Sequence, residues 1–182
     1  MYSEGFKRMR YSTTPLIQEN IDLIEQGLSL IRTLTPEIYA NNEHEHFTSG
    51  IGKHFRHVLD VYAQVLAGYD SEVDYDARER DERVERDPVY AEQRAKAIEK
   101  KLEDLGSQPG GSSVLAVRTE IHDADDRPIP VTSSVDRELA HLASHAVHHY
   151  ALIGMLARLQ GVTPPKYFGV APSTIRHLSG NA

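Results

Sequence analysis

Four histidines are set into one apolar helical run, residues 137–154, R-E-L-A-H-L-A-S-H-A-V-H-H-Y-A-L-I-G. Residues four apart on an α-helix share a face, each one turn above the last. His141, His145 and His149 therefore form a stripe, continued at its ends by Glu138 and Leu152. Leu139, Leu142, Ala143, Ala146, Val147, Ile153, Leu156 and Leu159 surround it almost completely. A helix apolar nearly all round is a buried one, so these imidazoles face an interior. Two His at i and i+4 on one face can hold a single metal ion. The remaining question for the sequence is where a third ligand comes from.

The rest of the chain reads as further helices. Pro15 follows Thr13 and Thr14, either of which can cap. Ile17, Ile21, Ile24, Leu28 and Ile31 then alternate at spacings of four and three, an amphipathic pattern. Thr35-Pro36-Glu37 restarts a short turn. Thr48 or Ser49 is expected to cap a second long helix, which runs to about Ala67 before Gly68 and carries His54 and His57 one turn apart. Residues 71–87 are dense in mixed charge, either a solvated loop or a surface helix. Asp87-Pro88 opens a third helix, with Ala91, Ala95, Ile98, Leu102 and Leu105 as its seam and Gly106 as its stop. Residues 114–121 and 128–132 suggest a small β-hairpin, with proline confining the second strand to an edge. Ser133 or Ser134 opens the His-rich helix, and Ser133 with Asp136 fits the reciprocal capping pattern. Four substantial helices with a hairpin inserted before the last predict an all-α fold, a four-helix bundle. It is read as one domain spanning 1–182, with a helical core at about 14–161. Residues 162–182 are expected to be an irregular tail with at most a short turn at Ser173 to Leu178.

His57 is the favoured third ligand, since it sits mid-helix among core residues and a bundle interior lets facing helices build a metal site. His54 is a neighbour or an alternative ligand. His141 lies a full turn from the 145/149 pair, about 6 Å along the axis, and His148 is turned toward another helix. His44 and His46 read as solvated loop residues, while His122 and His177 have no supporting cluster. Asp60 and Glu138 are the acids placed to accept a ring proton from a metal-bound His. Asp74, Tyr75, Asp76 and Arg78 are candidates to cover the pocket mouth, and Phe168 to Thr174 to wall it. The chain has no cysteine, which excludes a thiol nucleophile, disulfides and Cys-ligated metal within it. A formal charge of −7 argues against a general nucleic-acid binder, because phosphate neutralisation needs a basic surface. No apolar run reaches membrane-spanning length, and a cytoplasmic location is the default expectation.

The segments H-F-R-H-V-L-D and S-H-A-V-H-H, separated by two helices' worth of chain, resemble those of the DinB/YfiT-like superfamily. The resemblance covers most of the chain. It implies a four-helix bundle with a three-His metal site, whose ligands fall on His57, followed by Val58-Leu59, and on His145 and His149. It further implies Zn, Ni or Fe, often a homodimer, and a small-molecule substrate. In characterised branches the reaction is transfer of a low-molecular-weight thiol or a thiol-dependent isomerisation. The superfamily's usual Arg-Gly-Gln after the last ligand is replaced here by Tyr150-Ala151-Leu152. A metal-dependent hydrolase or thiol transferase is the leading expectation. A non-catalytic, metal-stabilised bundle that binds a ligand in a stress response is the alternative.

Overall fold

The computed structural model describes residues 14–43, 45–107 and 114–180, and among them the chain is mostly helical with one small sheet. The long helices are α1 (Thr14–Ile31), α3 (Ile51–Gly68), α5 (Pro88–Gly106) and α6 (Val135–Leu159); α2 (Pro36–Ala40), α4 (Glu82–Arg86) and α7 (Pro172–Leu178) are short. α1 and α3 each pack against both α5 and α6, which closes a ring of long helices. Their inward residues form a single buried apolar cluster. No helix among the described residues is long and apolar enough to cross a membrane.

Local chemistry explains the starts of three long helices. Asp87 caps α5 by accepting from the backbone N–H groups of Val89 and Tyr90, both at 3.0 Å. α3 differs from expectation: neither Thr48 nor Ser49 is its cap. It starts from Gly50 in extended backbone, whose N–H donates to Asn42 Oδ1 at 3.1 Å. The Asn41 carbonyl lies where a Gly50 side chain would go, so backbone packing fixes this start in place of a hydroxyl. At α6 the cap is Ser134, which accepts from Arg137 N at 3.3 Å. Ser133, expected to pair with Asp136, turns its hydroxyl to Glu138 instead. α6 begins one residue later than that pattern requires because Ser133 and Ser134 are both still paired in the sheet.

Residues 71–87 form neither a simple loop nor one surface helix. Strand β1 (Glu72–Asp74) runs parallel to β2 (Val114–His122), with Val73 opposite Val117, and α4 follows. Val73 is fully buried, and Glu72 pairs with Arg118 at 2.6 Å. β3 (Pro128–Ser134) completes the antiparallel hairpin on the other side of β2. Pro128 and Pro130 lie on this edge strand, where a missing N–H is tolerated. In the tail, the short turn expected at Ser173 to Leu178 is the helix α7, and Phe168 is buried against Tyr150, ring centroids 5.3 Å apart.

Two buried connections fix how the site-bearing helices face each other. Asn20 of α1 donates to the Leu139 carbonyl of α6 at 3.0 Å and accepts from the Tyr62 hydroxyl of α3 at 2.6 Å. A fully satisfied buried amide of this kind specifies one packing arrangement. On the outer side of α3, Arg56 reaches Asp60 and Glu85, each at 2.7 Å, and so ties α3 to α4. There the backbones touch: a Cβ at Gly52 would collide with the Glu85 carbonyl. Gly52→Ala is expected to destabilise the fold by about 1–3 kcal/mol, read as a lower urea midpoint. An unchanged midpoint would mean that α4 yields freely.

Candidate metal centre

The i, i+4 spacing on α6 and the facing turn of α3 bring three imidazoles together. Ring centroids are 4.9 Å apart for His57 and His145, 4.7 Å for His57 and His149, and 4.5 Å for His145 and His149. One ring nitrogen from each lies within 4.8 Å of the others. All three side chains are half-buried. His145 Nε2 is buried with no hydrogen-bond partner, an arrangement that leaves a lone pair or an N–H unsatisfied at about 1–3 kcal/mol. Burial, then the charge of neighbouring imidazoles, pushes His145 down to about 4 and His149 down to about 3. Both are therefore neutral near pH 7 and able to offer a lone pair.

His54 fills a supporting position. Its Nδ1 lies 3.0 Å from Nδ1 of His149. One of the two nitrogens donates and the other accepts, which orients the His149 ring and directs its Nε2 away from His54. His141 stands one turn further along α6, its ring 5.8 Å from that of His145 and 5.9 Å from that of Tyr75. His148 is exposed. His46 is also exposed and lies 3.3 Å from Glu45, while His44 falls outside the described residues. His122 ends β2 and His177 lies on α7, both exposed.

The two acids expected beside the ligands are engaged elsewhere. Asp60 pairs with Arg56. Glu138, completely buried, accepts from the Tyr75 hydroxyl, the Ser133 hydroxyl and Arg137 Nη1, the last at 2.9 Å. Burial pushes the Glu138 carboxyl up, but these hydrogen bonds and the Arg137 charge outweigh it and hold the group below its usual range. Burial and the adjoining carboxylate raise Tyr75 well above an ordinary phenol.

An open cavity of about 910 Å³ adjoins the triad, with His57, His145 and His141 along one side. Of the four candidates in the charged stretch, Tyr75 and Arg78 line it. Asp74 instead accepts from the backbone of Asp76 and Ala77, forming the turn that brings Arg78 inward. Arg78 Nη1 lies 3.4 Å from His57 Nδ1. Val117, Val131 and Thr132 supply a sheet wall that sequence reasoning missed; the apolar Leu115 and Val117 at alternate positions were the available signal. Phe168 does not wall this cavity, because it packs on Tyr150 and against Gly154.

A profile of the DinB family matches residues 9–173. The chain belongs to the DinB family. The matched span contains all three clustered histidines and every element from α1 to α6. This DinB-family chain is also similar to a curated protein described as FK506-binding protein 5 from Rhizopus delemar, 34% identical over 106 residues. That match covers 58% of this chain and 27% of the relative, so the chain spans about a quarter of that protein's length.

The donor set fits a divalent transition metal. Three imidazoles, two of them held neutral by burial, converge with an orphaned nitrogen among them. With no thiolate available, the donors are imidazoles, which suit several first-row transition metals.

Proposed function

We propose that this DinB-family protein is a metal-dependent enzyme acting on a small molecule with the help of a low-molecular-weight thiol. His57, His145 and His149 would hold Zn, Ni or Fe within a single four-helix bundle domain of the DinB/YfiT type. The observation that carries this reading is the convergence of the three imidazoles, with His145 Nε2 unpartnered, beside an open cavity. A bound ion of this kind supplies Lewis acidity, favouring the anionic form of a thiol or water near neutral pH. The chain's own residues do the rest. His54 holds the His149 ring by the 3.0 Å contact. Tyr75, fixed by Glu138, keeps its proton and presents a neutral phenol at the cavity wall. Because the chain has no cysteine, the thiol must come from a cosubstrate. A simple hydrolase uses the same centre with water in the thiol's place, and assembly as a homodimer is part of the proposal.

The test begins with untagged full-length protein exposed to Zn, Ni or Fe and dialysed. About one equivalent of metal retained per chain is expected, with a rise in melting temperature. A panel of small thiols with electrophilic acceptors should then give metal-dependent turnover. Less than a tenth of an equivalent retained would defeat the metal site. Full metal occupancy without turnover of any thiol or ester substrate would favour the non-catalytic, ligand-binding alternative.

A further inference from the structure

One wall of the cavity is organised by a single buried carboxylate. Glu138 accepts from the Tyr75 hydroxyl on Oε2, and from the Ser133 hydroxyl and Arg137 Nη1 on Oε1, the last at 2.9 Å. A guanidinium only donates, and an ionised carboxylate only accepts. Burial opposes ionisation of Glu138, but the three bonds outweigh it and hold its carboxyl below the usual range. The protons of both hydroxyls are therefore committed to Glu138. A hydroxyl has one proton and two lone pairs, so Tyr75 and Ser133 are left with acceptors to offer. Both residues line the cavity. Ser134, beside them, is the reverse: its oxygen accepts from Arg137 N at 3.3 Å, and its O–H remains to donate. Arg137 adds further N–H groups to the same cavity from a side chain that is 61% exposed. Acceptors and donors thus stand side by side on one wall.

We propose that this wall binds the uncharged amide group of a small molecule, its N–H on the oxygens of Tyr75 and Ser133 and its carbonyl toward Ser134 and Arg137. The hydrocarbon remainder lies against Val61, Val117 and Val131, which line the cavity. An amide carries an N–H donor and a C=O acceptor together without a charge. A carboxylate brings no donor to the two committed oxygens, and an ammonium meets Arg137, a permanent cation. A site built from fixed polar groups discriminates most strongly against a ligand that leaves them unpaired. The volume of about 910 Å³ lies within the range of small-molecule sites. This names a substrate class for the proposed enzyme; it rests on the reading of the cavity as the substrate site and not on the metal.

The full-length chain, with and without zinc, is titrated calorimetrically with hexanamide and with heptan-2-one, in which a methyl group replaces the amide nitrogen. Hexanamide is expected to bind about tenfold more tightly than the ketone in both forms of the chain. On the zinc-free chain, where no metal competes for a carboxylate, hexanoate should bind more weakly than hexanamide. Tyr75→Phe removes one acceptor and should cut the preference for the amide to about threefold. In Glu138→Gln the new side-chain N–H donates to one hydroxyl, whose own O–H then turns to the cavity. Hexanamide should weaken there by about threefold or more, while heptan-2-one binds at least as tightly as to the wild type. Equal binding of amide and ketone would overturn the proposal, as would hexanoate binding at least as tightly as the amide. Parallel weakening of both neutral probes in Glu138→Gln would overturn it too, because a wall that has merely loosened treats them alike. Failure of all three probes to bind would overturn the reading of the cavity as a ligand site. Zinc content, measured separately, reports on the metal site by itself.

Discussion

His145→Ala is expected to weaken zinc binding by about a hundredfold or more, because even supporting contacts around a metal are worth about 10–100-fold. The substitution removes the imidazole whose Nε2 is buried and unpartnered and whose pKa is pushed down to about 4 by burial and neighbouring imidazoles. A competition titration against a chromophoric chelator measures the loss. Zinc should raise the melting temperature of the wild-type chain by mass action, and the variant should lose that rise. His54→Ala is expected to cost about tenfold, since it releases the His149 ring from its 3.0 Å contact. His46→Ala, on an exposed side chain, should change nothing. A metal-free melting temperature within a few degrees of wild type shows that the His145 variant is folded. Undiminished zinc affinity in it, or equal losses at His46 and His145, would refute the assignment.

The long helices were legible because their apolar residues recur at helical spacing over four or more turns and because Asp87-Pro88 and the glycines punctuate them. The three clustered histidines were legible for a related reason: His145 and His149 are fixed on one face by helix geometry alone, and His57 is the His of α3 set among Val58, Leu59 and Val61. β1 was not legible. It is three residues long with Val73 as its single apolar residue, too short for an alternating pattern to show against surrounding charge. α7 was legible only as a short turn, because prolines and a glycine surround it, although Pro172 occupies a favourable first position. The contacts of Glu138 with Tyr75 and of Arg78 with His57 were missed because they form across the fold. Tyr75 and Glu138 are 63 residues apart, and no local spacing encodes that meeting. Asp60 looked like a partner for a metal-bound His, yet Arg56 one turn earlier takes it, a competition that sequence spacing allows but does not decide.

Glu138→Leu is expected to destabilise the protein by about 3–4 kcal/mol and Glu138→Gln by about 2 kcal/mol, because hydrogen bonds to a charged group are worth about 1.5–3 kcal/mol each. The carboxylate gathers the Tyr75 hydroxyl from the segment after β1, the Ser133 hydroxyl from β3 and Arg137 from α6 itself. Leucine fills similar space and leaves both hydroxyls without their acceptor, whereas the glutamine amide still accepts one bond. Arg137 adds little, since its side chain is 61% exposed and solvent screens that half of the pair. The pH dependence follows from the direction of the shift. Glu138 is held below its usual range in the folded protein, so its contribution is complete above the unfolded value of about 4.3. It is lost as pH falls through the folded value. Urea denaturation at pH 7 should therefore show the full difference between wild type and Glu138→Gln, and the two curves should converge in acid. A difference below about 0.5 kcal/mol at pH 7, within the scatter of surface substitutions, would mean that the three contacts are not maintained. Zinc affinity should stay within about threefold in the glutamine variant, since seven residues of helix put Glu138 about 10 Å along the axis from His145. The same carboxylate thus holds Tyr75, Ser133 and Arg137 in the cavity wall. Its removal should loosen the ligand side of the pocket while sparing the histidine cluster.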